Sequence, residues 1–302
     1  MRFRSGAGIM RRMIESNMNV PLTTIVSVNQ LADHLTDPAW VIVDCRFDLF
    51  DKAAGERHYE AAHIPGAVYA HLERDLSAPV TGNGVGGRHP LPSPELMRHL
   101  FGRYGIGPGI QVVAYDDTSG HYAARLWWML RFMGHEAVAV LDGGWPAWSA
   151  GGLPVATGRE TRPARAFGGS PRWERVVRRE DVEAAPLLVD ARAPERYRGE
   201  IEPIDPLAGH IPGALNRPYA TNWTAQGIWQ PQETLLADFL ALLGDTPAEN
   251  AVFYCGSGVS ACVNLVAMVH AGLPEGQLYV GSWSEWSRLE AQQASQPDAT
   301  DE

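Results

Sequence analysis

His63-Ile64-Pro65-Gly66-Ala67 recurs without change as His210-Ile211-Pro212-Gly213-Ala214. Ahead of the pentapeptide, Val41-Ile42-Val43-Asp44 is matched by Leu187-Leu188-Val189-Asp190. After it, Val112-Val113-Ala114-Tyr115 returns as Ala251-Val252-Phe253-Tyr254, and Gly143-Gly144-Trp145-Pro146-Ala147-Trp148 as Gly281-Ser282-Trp283-Ser284-Glu285-Trp286. Matched blocks in one order mean a duplicated domain, with the period of a domain and not of a solenoid repeat. A chain of 302 residues has room for two domains.

Within each copy, short β-branched runs alternate with helical patterns. Residues 40–43, 112–115 and 138–141 are apolar runs bounded by polar residues, the form of a strand buried on both faces of a parallel sheet. Ser93-Pro94-Glu95 sets an N-cap serine, a proline at the first helical position and an acid in the first turn ahead of residues 96–104. Residues 121–133 and 260–271 carry small and apolar side chains at helical spacing. The alternation predicts an α/β fold, a doubly wound parallel sheet flanked by helices in each half. The copies are expected over residues 22–155 and 176–290, joined by a Gly-, Pro- and Arg-rich linker over 156–175.

Composition narrows the function. Apolar residues are 45% of the chain and charged residues 20%, which suits two cores under a polar surface. The formal net charge of −10 speaks against a nucleic-acid partner, which needs a concentrated basic face. No apolar run approaches the roughly 18 residues that cross a bilayer, so no membrane partner is expected. Cys45, Cys255 and Cys262 cannot build a disulfide framework and read as thiols of a reducing compartment, the cytoplasm. They form no CxxC or Cys–His cluster, which sets a zinc site aside, and no P-loop or dinucleotide motif is present. No metal or organic cofactor is implied. Residues 1–20 are basic but lack an apolar core, unlike a secretory signal. They read as a disordered or mis-started leader, with Met10, Met13 and Met18 as alternative starts and an organelle-targeting peptide as the second reading.

The copies differ most at one point. After the third matched block the first continues Asp116-Asp117-Thr118-Ser119-Gly120, and the second Cys255-Gly256-Ser257-Gly258-Val259-Ser260. A cysteine between a buried strand and a helix sits at the carboxyl edge of the sheet, where open α/β folds build their sites. The glycines let several N–H groups turn toward one atom, and these donors with the helix N-terminus favour a negative sulfur. Asp116 cannot be a soft nucleophile, so the second copy is the catalyst and the first its partner.

These blocks together resemble the tandem-domain rhodanese family, the thiosulfate and 3-mercaptopyruvate sulfurtransferases, over about residues 24–287. The resemblance implies two rhodanese-like domains and a double displacement. A small-molecule donor gives its outer sulfur to Cys255, and a thiophilic acceptor (cyanide, or a thiol such as thioredoxin or glutathione) removes it. It implies a neutral cradle of Gly256, Ser257, Gly258, Val259 and Ser260, which looks like the mercaptopyruvate branch, whereas thiosulfate-preferring members tend to carry positive side chains there. Ser257 would then move a proton with His89 and Glu73 of the first domain, Glu73 standing where the family more often has aspartate. Arg196 is the implied carboxylate ligand, a bidentate fork suited to an α-keto acid. The family's second arginine follows a Glu-Pro step, but here Glu202-Pro203 leads to Ile204 and Asp205. That departure keeps thiosulfate open as the alternative donor, with Arg198 the nearest substitute for the missing charge.

Competing readings have their own signals. A cysteine phosphatase would need an arginine five or six residues after the nucleophile, where Ser260 and Ala261 stand. A persulfide carrier loaded by a protein donor is compatible with the same loop. Cys45 and Cys262 read as buried packing cysteines, with a redox partnership the second reading of Cys262. His63 and His210 read as turn residues, Arg192 as a structural partner of Asp190, and most tryptophans as core. Trp223 and Trp229 are open between core and active-site wall.

Overall fold

A computed structural model describes residues 20–294. The leader and its candidate starts Met10, Met13 and Met18 lie outside the described residues. The first half comprises β1 (Ile25–Val26), α1 (Val28–Ala32), β2 (Trp40–Asp44), α2 (Ala54–Ala61), β3 (Val68–Tyr69), α3 (Pro94–Arg103), β4 (Gln111–Tyr115), α4 (Ala123–Phe132), β5 (Val138–Leu141) and α5 (Gly144–Ala150). The second comprises β6 (Val176–Val177), β7 (Leu187–Asp190), α6 (Pro194–Tyr197), β8 (Leu215–Asn216), α7 (Gln232–Leu243), β9 (Ala251–Tyr254), α8 (Ala261–His270), β10 (Gln277–Tyr279) and α9 (Ser282–Ala294). Each half holds one five-stranded sheet, ordered β1-β5-β4-β2-β3 and β6-β10-β9-β7-β8, with every pair parallel. No helix among the described residues is long and apolar enough to cross a membrane.

The repeated blocks are repeated because they do the same physical work twice. β2, β4 and β9 are buried at every position, which is why they read as unbroken apolar runs. Asp44 accepts from the Arg46 guanidinium, which also donates to the Ala62 carbonyl; Asp190, Arg192 and the Gly209 carbonyl copy this arrangement. In the pentapeptide, His63 Nδ1 lies 2.7 Å from the Tyr59 carbonyl, and His210 Nδ1 lies 2.8 Å from that of Tyr197. Ile64 and Ile211 donate their N–H groups to the hydroxyls of Tyr115 and Tyr254. Gly66 and Gly213 then turn the chain at φ +76° and +81°, where a side chain would be strained. Both histidines are turn residues, as their appearance in both copies suggests.

The halves meet through α4 and α8, which pack on each other and belong to one continuous apolar core. All positions of α4 are buried, so this helix is apolar all round apart from Arg125 and Arg131. Arg131 reaches Glu275 of the second half at 2.8 Å, and Arg175, at the end of the connecting segment, reaches the same oxygen at 2.9 Å. Glu136 pairs with Arg131 and Arg172 on the other side. The connecting segment runs along the first half, where the N–H of Arg165 bonds to the Gly102 carbonyl and the Gly169 carbonyl accepts from Arg98.

Glu275 is 4% exposed and stands between two guanidiniums. Removing one member of a buried ion pair strands the others, an effect of about 3–5 kcal/mol. Glu275→Ala is therefore expected to lower Tm by on the order of 10 °C in scanning calorimetry. A Tm within about 2 °C of wild type would show that the network does not hold the halves together.

Candidate active site

Cys255 follows β9 directly, is 1% exposed, and lines a cavity of about 200 Å³ formed by residues of both halves. Its backbone is held by the start of α9. The Cys255 N–H donates to Ser282 Oγ at 3.2 Å, and the carbonyls of Cys255 and Gly256 accept from the N–H groups of Trp283 and Ser284. Ser282 sits at φ +55°, unusual for a residue with a side chain, and its hydroxyl donates onward to the Tyr279 carbonyl. Its counterpart Gly144 has the same φ of +55°, with Trp145 N–H on the Asp116 carbonyl. The fourth repeated block thus positions the residue that ends the third strand of each sheet. Gly258, at φ +73°, passes so close to Val280 that a Cβ would lie 2.4 Å from its carbonyl oxygen.

The two loops differ in what their N–H groups do. In the first half, the Asp116 carboxylate turns back and accepts from the N–H groups of Thr118, Gly120, Tyr122 and Ala123 at 2.6–2.9 Å. In the second, no N–H from Gly256 to Ser260 donates to any group among the described residues. One copy fills its own anion cradle; the other leaves it open beside a sulfur.

The first half supplies the opposite wall. His89 Nδ1 lies 2.7 Å from Ser257 Oγ. Burial, helped by Arg88 and Arg125, holds His89 down to about 3, so at neutral pH the imidazole is uncharged. Its Nε2 has no hydrogen-bond partner among the described residues and lies 3.8 Å from Glu73 Oε1, while Glu73 Oε2 pairs with Lys52 at 2.8 Å. The three residues of the expected relay therefore converge, but the Glu73 link is longer than a hydrogen bond. His121 and Tyr219 close another side edge to face, with ring centroids 4.7 Å apart, and burial holds His121 down to about 4.

Of the positions picked from the sequence, Ser257, His89, Arg196, Gly256, Val259 and Ser260 line the cavity with Cys255. Gly258 shapes the loop from behind, and Glu73 stands at the rim, in the adjoining groove. Arg198 does not replace the missing arginine: it is exposed and paired with Glu200 at 2.7 Å. Trp223 and Trp229 pack on each other at 5.9 Å and do not line the cavity; Tyr219 of the same segment does. Cys45 and Cys262 are buried and free, and Cys262 Sγ contacts the Gly258 carbonyl at 3.4 Å.

Three site residues were missed. Arg88 is the guanidinium next to Arg196, and its position beside His89 was the available signal. Arg125, wholly buried, donates to the carbonyls of Gly258 and His89 at 3.0 and 3.2 Å. Ser282 was visible only as the one side chain replacing a glycine between the matched blocks. A larger groove, about 630 Å³, lies on the first half between Tyr69, His99, Arg103 and Arg162. It holds no cysteine, and size alone does not make it the reactive site.

Comparison with known proteins agrees with this geometry. A Pseudomonas aeruginosa protein with the provisional name 3-mercaptopyruvate sulfurtransferase is 46% identical over 87% of this chain and 94% of its own. A Mycobacterium tuberculosis protein provisionally named thiosulfate sulfurtransferase SseB is 38% identical over 82% of this chain and 87% of its own. The solved 3-mercaptopyruvate sulfurtransferase from Leishmania major superposes with a TM-score of 0.80 at 31% identity, covering 88% of this chain and 75% of that one. The rhodanese-like domain model matches residues 27–151 and again 176–289, and the chain belongs to that family as a tandem pair.

Proposed function

We propose that the chain is a sulfurtransferase that carries sulfane sulfur as a persulfide on Cys255, with 3-mercaptopyruvate as donor. The observation that carries this reading is that no N–H from Gly256 to Ser260 has a partner among the described residues, whereas in the first half four loop N–H groups are taken by Asp116. Backbone donors without partners, fixed around a cysteine, suit an anionic outer sulfur that comes and goes.

The Cys255 thiolate attacks the donor sulfur, and the S–C bond breaks with its electron pair on the methylene carbon. The products are Cys255–S–SH and the pyruvate enolate, which takes a proton to become pyruvate. Ser257 and neutral His89 form a short path for that proton, with Glu73 and Lys52 at its outer end. Arg196 meets the donor carboxylate. An acceptor nucleophile, cyanide or a thiol such as thioredoxin or glutathione, then takes the outer sulfur and restores the thiolate. The cavity, about 200 Å³, has room for a small keto acid. Thiosulfate is the alternative donor, favoured by the two guanidiniums beside the loop, and would leave as sulfite. Free cysteines throughout suit a reducing, cytoplasmic setting.

Three outcomes are expected. Cys255→Ser abolishes thiocyanate formation from either donor plus cyanide, and the persulfide mass disappears from the protein; transfer surviving in this variant would sink the proposal. His89→Ala lowers kcat with mercaptopyruvate by about 10²–10⁴-fold, the range of general acid–base help, with little change for thiosulfate, which leaves without a proton. Because both cavity histidines are held well below their ordinary pKa, neither charges between about pH 5 and 8. The wild-type kcat profile should therefore show no limb near 6.5, and a limb there that vanishes in His89→Ala would contradict a neutral relay.

A further inference from the structure

The sequence lacks an arginine after Glu202-Pro203, yet two guanidiniums reach the cradle, and one carboxylate ties them. Asp205 Oδ1 accepts from Arg88 at 2.6 Å, and Oδ2 from Arg196 at 3.3 Å. Arg196 also pairs with Glu202 at 2.6 Å. The turn is folded around Glu202, whose Oε1 accepts the N–H groups of Ile204 and Asp205, so Asp205 has a fixed place. Asp205 is 3% exposed on its side chain, and its charge is poorly screened by water.

The remaining arms point at the loop. Arg88 Nη2 and Arg196 Nη1 donate to no group among the described residues. They are also the atoms nearest to a side chain placed on Gly256, at 3.2 and 3.5 Å. One free guanidinium nitrogen from each half thus converges over the residue next to Cys255.

We propose that Arg88 and Arg196 form the donor's anion clamp, and that Asp205 makes this clamp select a singly charged donor over a doubly charged one. The proposal rests on the sulfurtransferase reading and deepens it. Counting Arg192 and its partner Asp190, three guanidiniums here face the carboxylates of Asp205, Glu202 and Asp190, so the clamp has direction without net charge. A mercaptopyruvate monoanion needs two oriented donors and little more. For a thiosulfate dianion both the attraction to the guanidiniums and the repulsion from Asp205 double, because Coulomb energy scales with ligand charge, so the Asp205 charge costs the dianion twice what it costs the monoanion. Asp205 is a positioning residue that acts through the two arginines.

The test compares kcat/KM for thiosulfate with that for mercaptopyruvate, at fixed ionic strength and with cyanide as acceptor. Single-turnover loading of Cys255, read by protein mass, is measured alongside. Asp205→Asn deletes the charge and keeps an acceptor, and should shift the ratio toward thiosulfate by about tenfold, mainly through KM. Arg88→Gln deletes one arm and one positive charge, and should raise KM for both donors while moving the ratio the other way. Asp205→Glu keeps the charge and should leave the ratio within about twofold of wild type. An unchanged ratio in Asp205→Asn, or shifts of the same sign in Asp205→Asn and Arg88→Gln, would overturn the clamp and leave the sulfurtransferase reading standing. A wild type that loads from neither donor would overturn both.

Discussion

The site depends on a guanidinium that pairs with no carboxylate among the described residues. Arg125 lies wholly buried on α4, and its hydrogen bonds go to two carbonyls, Gly258 in the loop after Cys255 and His89 in the first half. Burial of an unpaired charge is expensive, and desolvation lowers the Arg125 pKa, opposed by the facing sulfurs of Cys262 and Cys255. What the chain gains is a fixed joint. The loop that carries Cys255 and the segment that carries Arg88 and His89 hang from one planar group, so the 2.7 Å contact between His89 and Ser257 follows from the packing of α4 on α8. A lysine could not bridge two carbonyls with the same planar geometry.

Duplication supplied both halves of the site, and the loops after the third matched block tell them apart. Asp116 and Cys255 end equivalent strands, and both carbonyls are gripped by the N–H of a following tryptophan, Trp145 or Trp283. Beyond Asp116 four N–H groups converge as a ring on its carboxylate, and beyond Cys255 the N–H groups of residues 256–260 have no partner among the described residues. Such a ring attracts negative charge wherever it occurs. Asp116 answers that attraction from within the loop. Cys255 cannot reach around in the same way, so its N–H groups wait for a charge brought from outside.

The fold was legible because the repeated blocks are the parts that cannot vary: continuous apolar strands, the strand-end acid with its arginine, and the turn locked by a tyrosine hydroxyl. The Ser93 N-cap and the start of α3 at Pro94 also read correctly, since capping is a local interaction. β1, β3, β6 and β8 have two residues each, too few to show any period. α4 starts at Ala123, not at 121, because the N–H groups of Tyr122 and Ala123 are held by Asp116. In the site, Cys255 stood out by contrast with its own copy. His89 and Arg196 came from the family resemblance. Arg88 and Arg125 did not come at all, because their roles exist only where the halves meet. An arginine inside an apolar helix gives no local sign of which loop it will hold.

Burial also bears on who can load the enzyme and who can unload it. Cys255 is 1% exposed and lines a cavity of about 200 Å³ together with Arg88, His121 and Tyr219. A small donor can enter whole, whereas a donor cysteine on another protein would have to bring its backbone past those side chains. Once loaded, the reactive atom is no longer the same one. In the persulfide proposed above, an S–S bond of about 2.05 Å extends the reactive sulfur beyond Cys255 Sγ. The acceptor therefore needs less reach than the donor. This asymmetry favours a small-molecule donor over a protein one, and it leaves a thiol on a protein surface a reasonable recipient of what the small molecule brought.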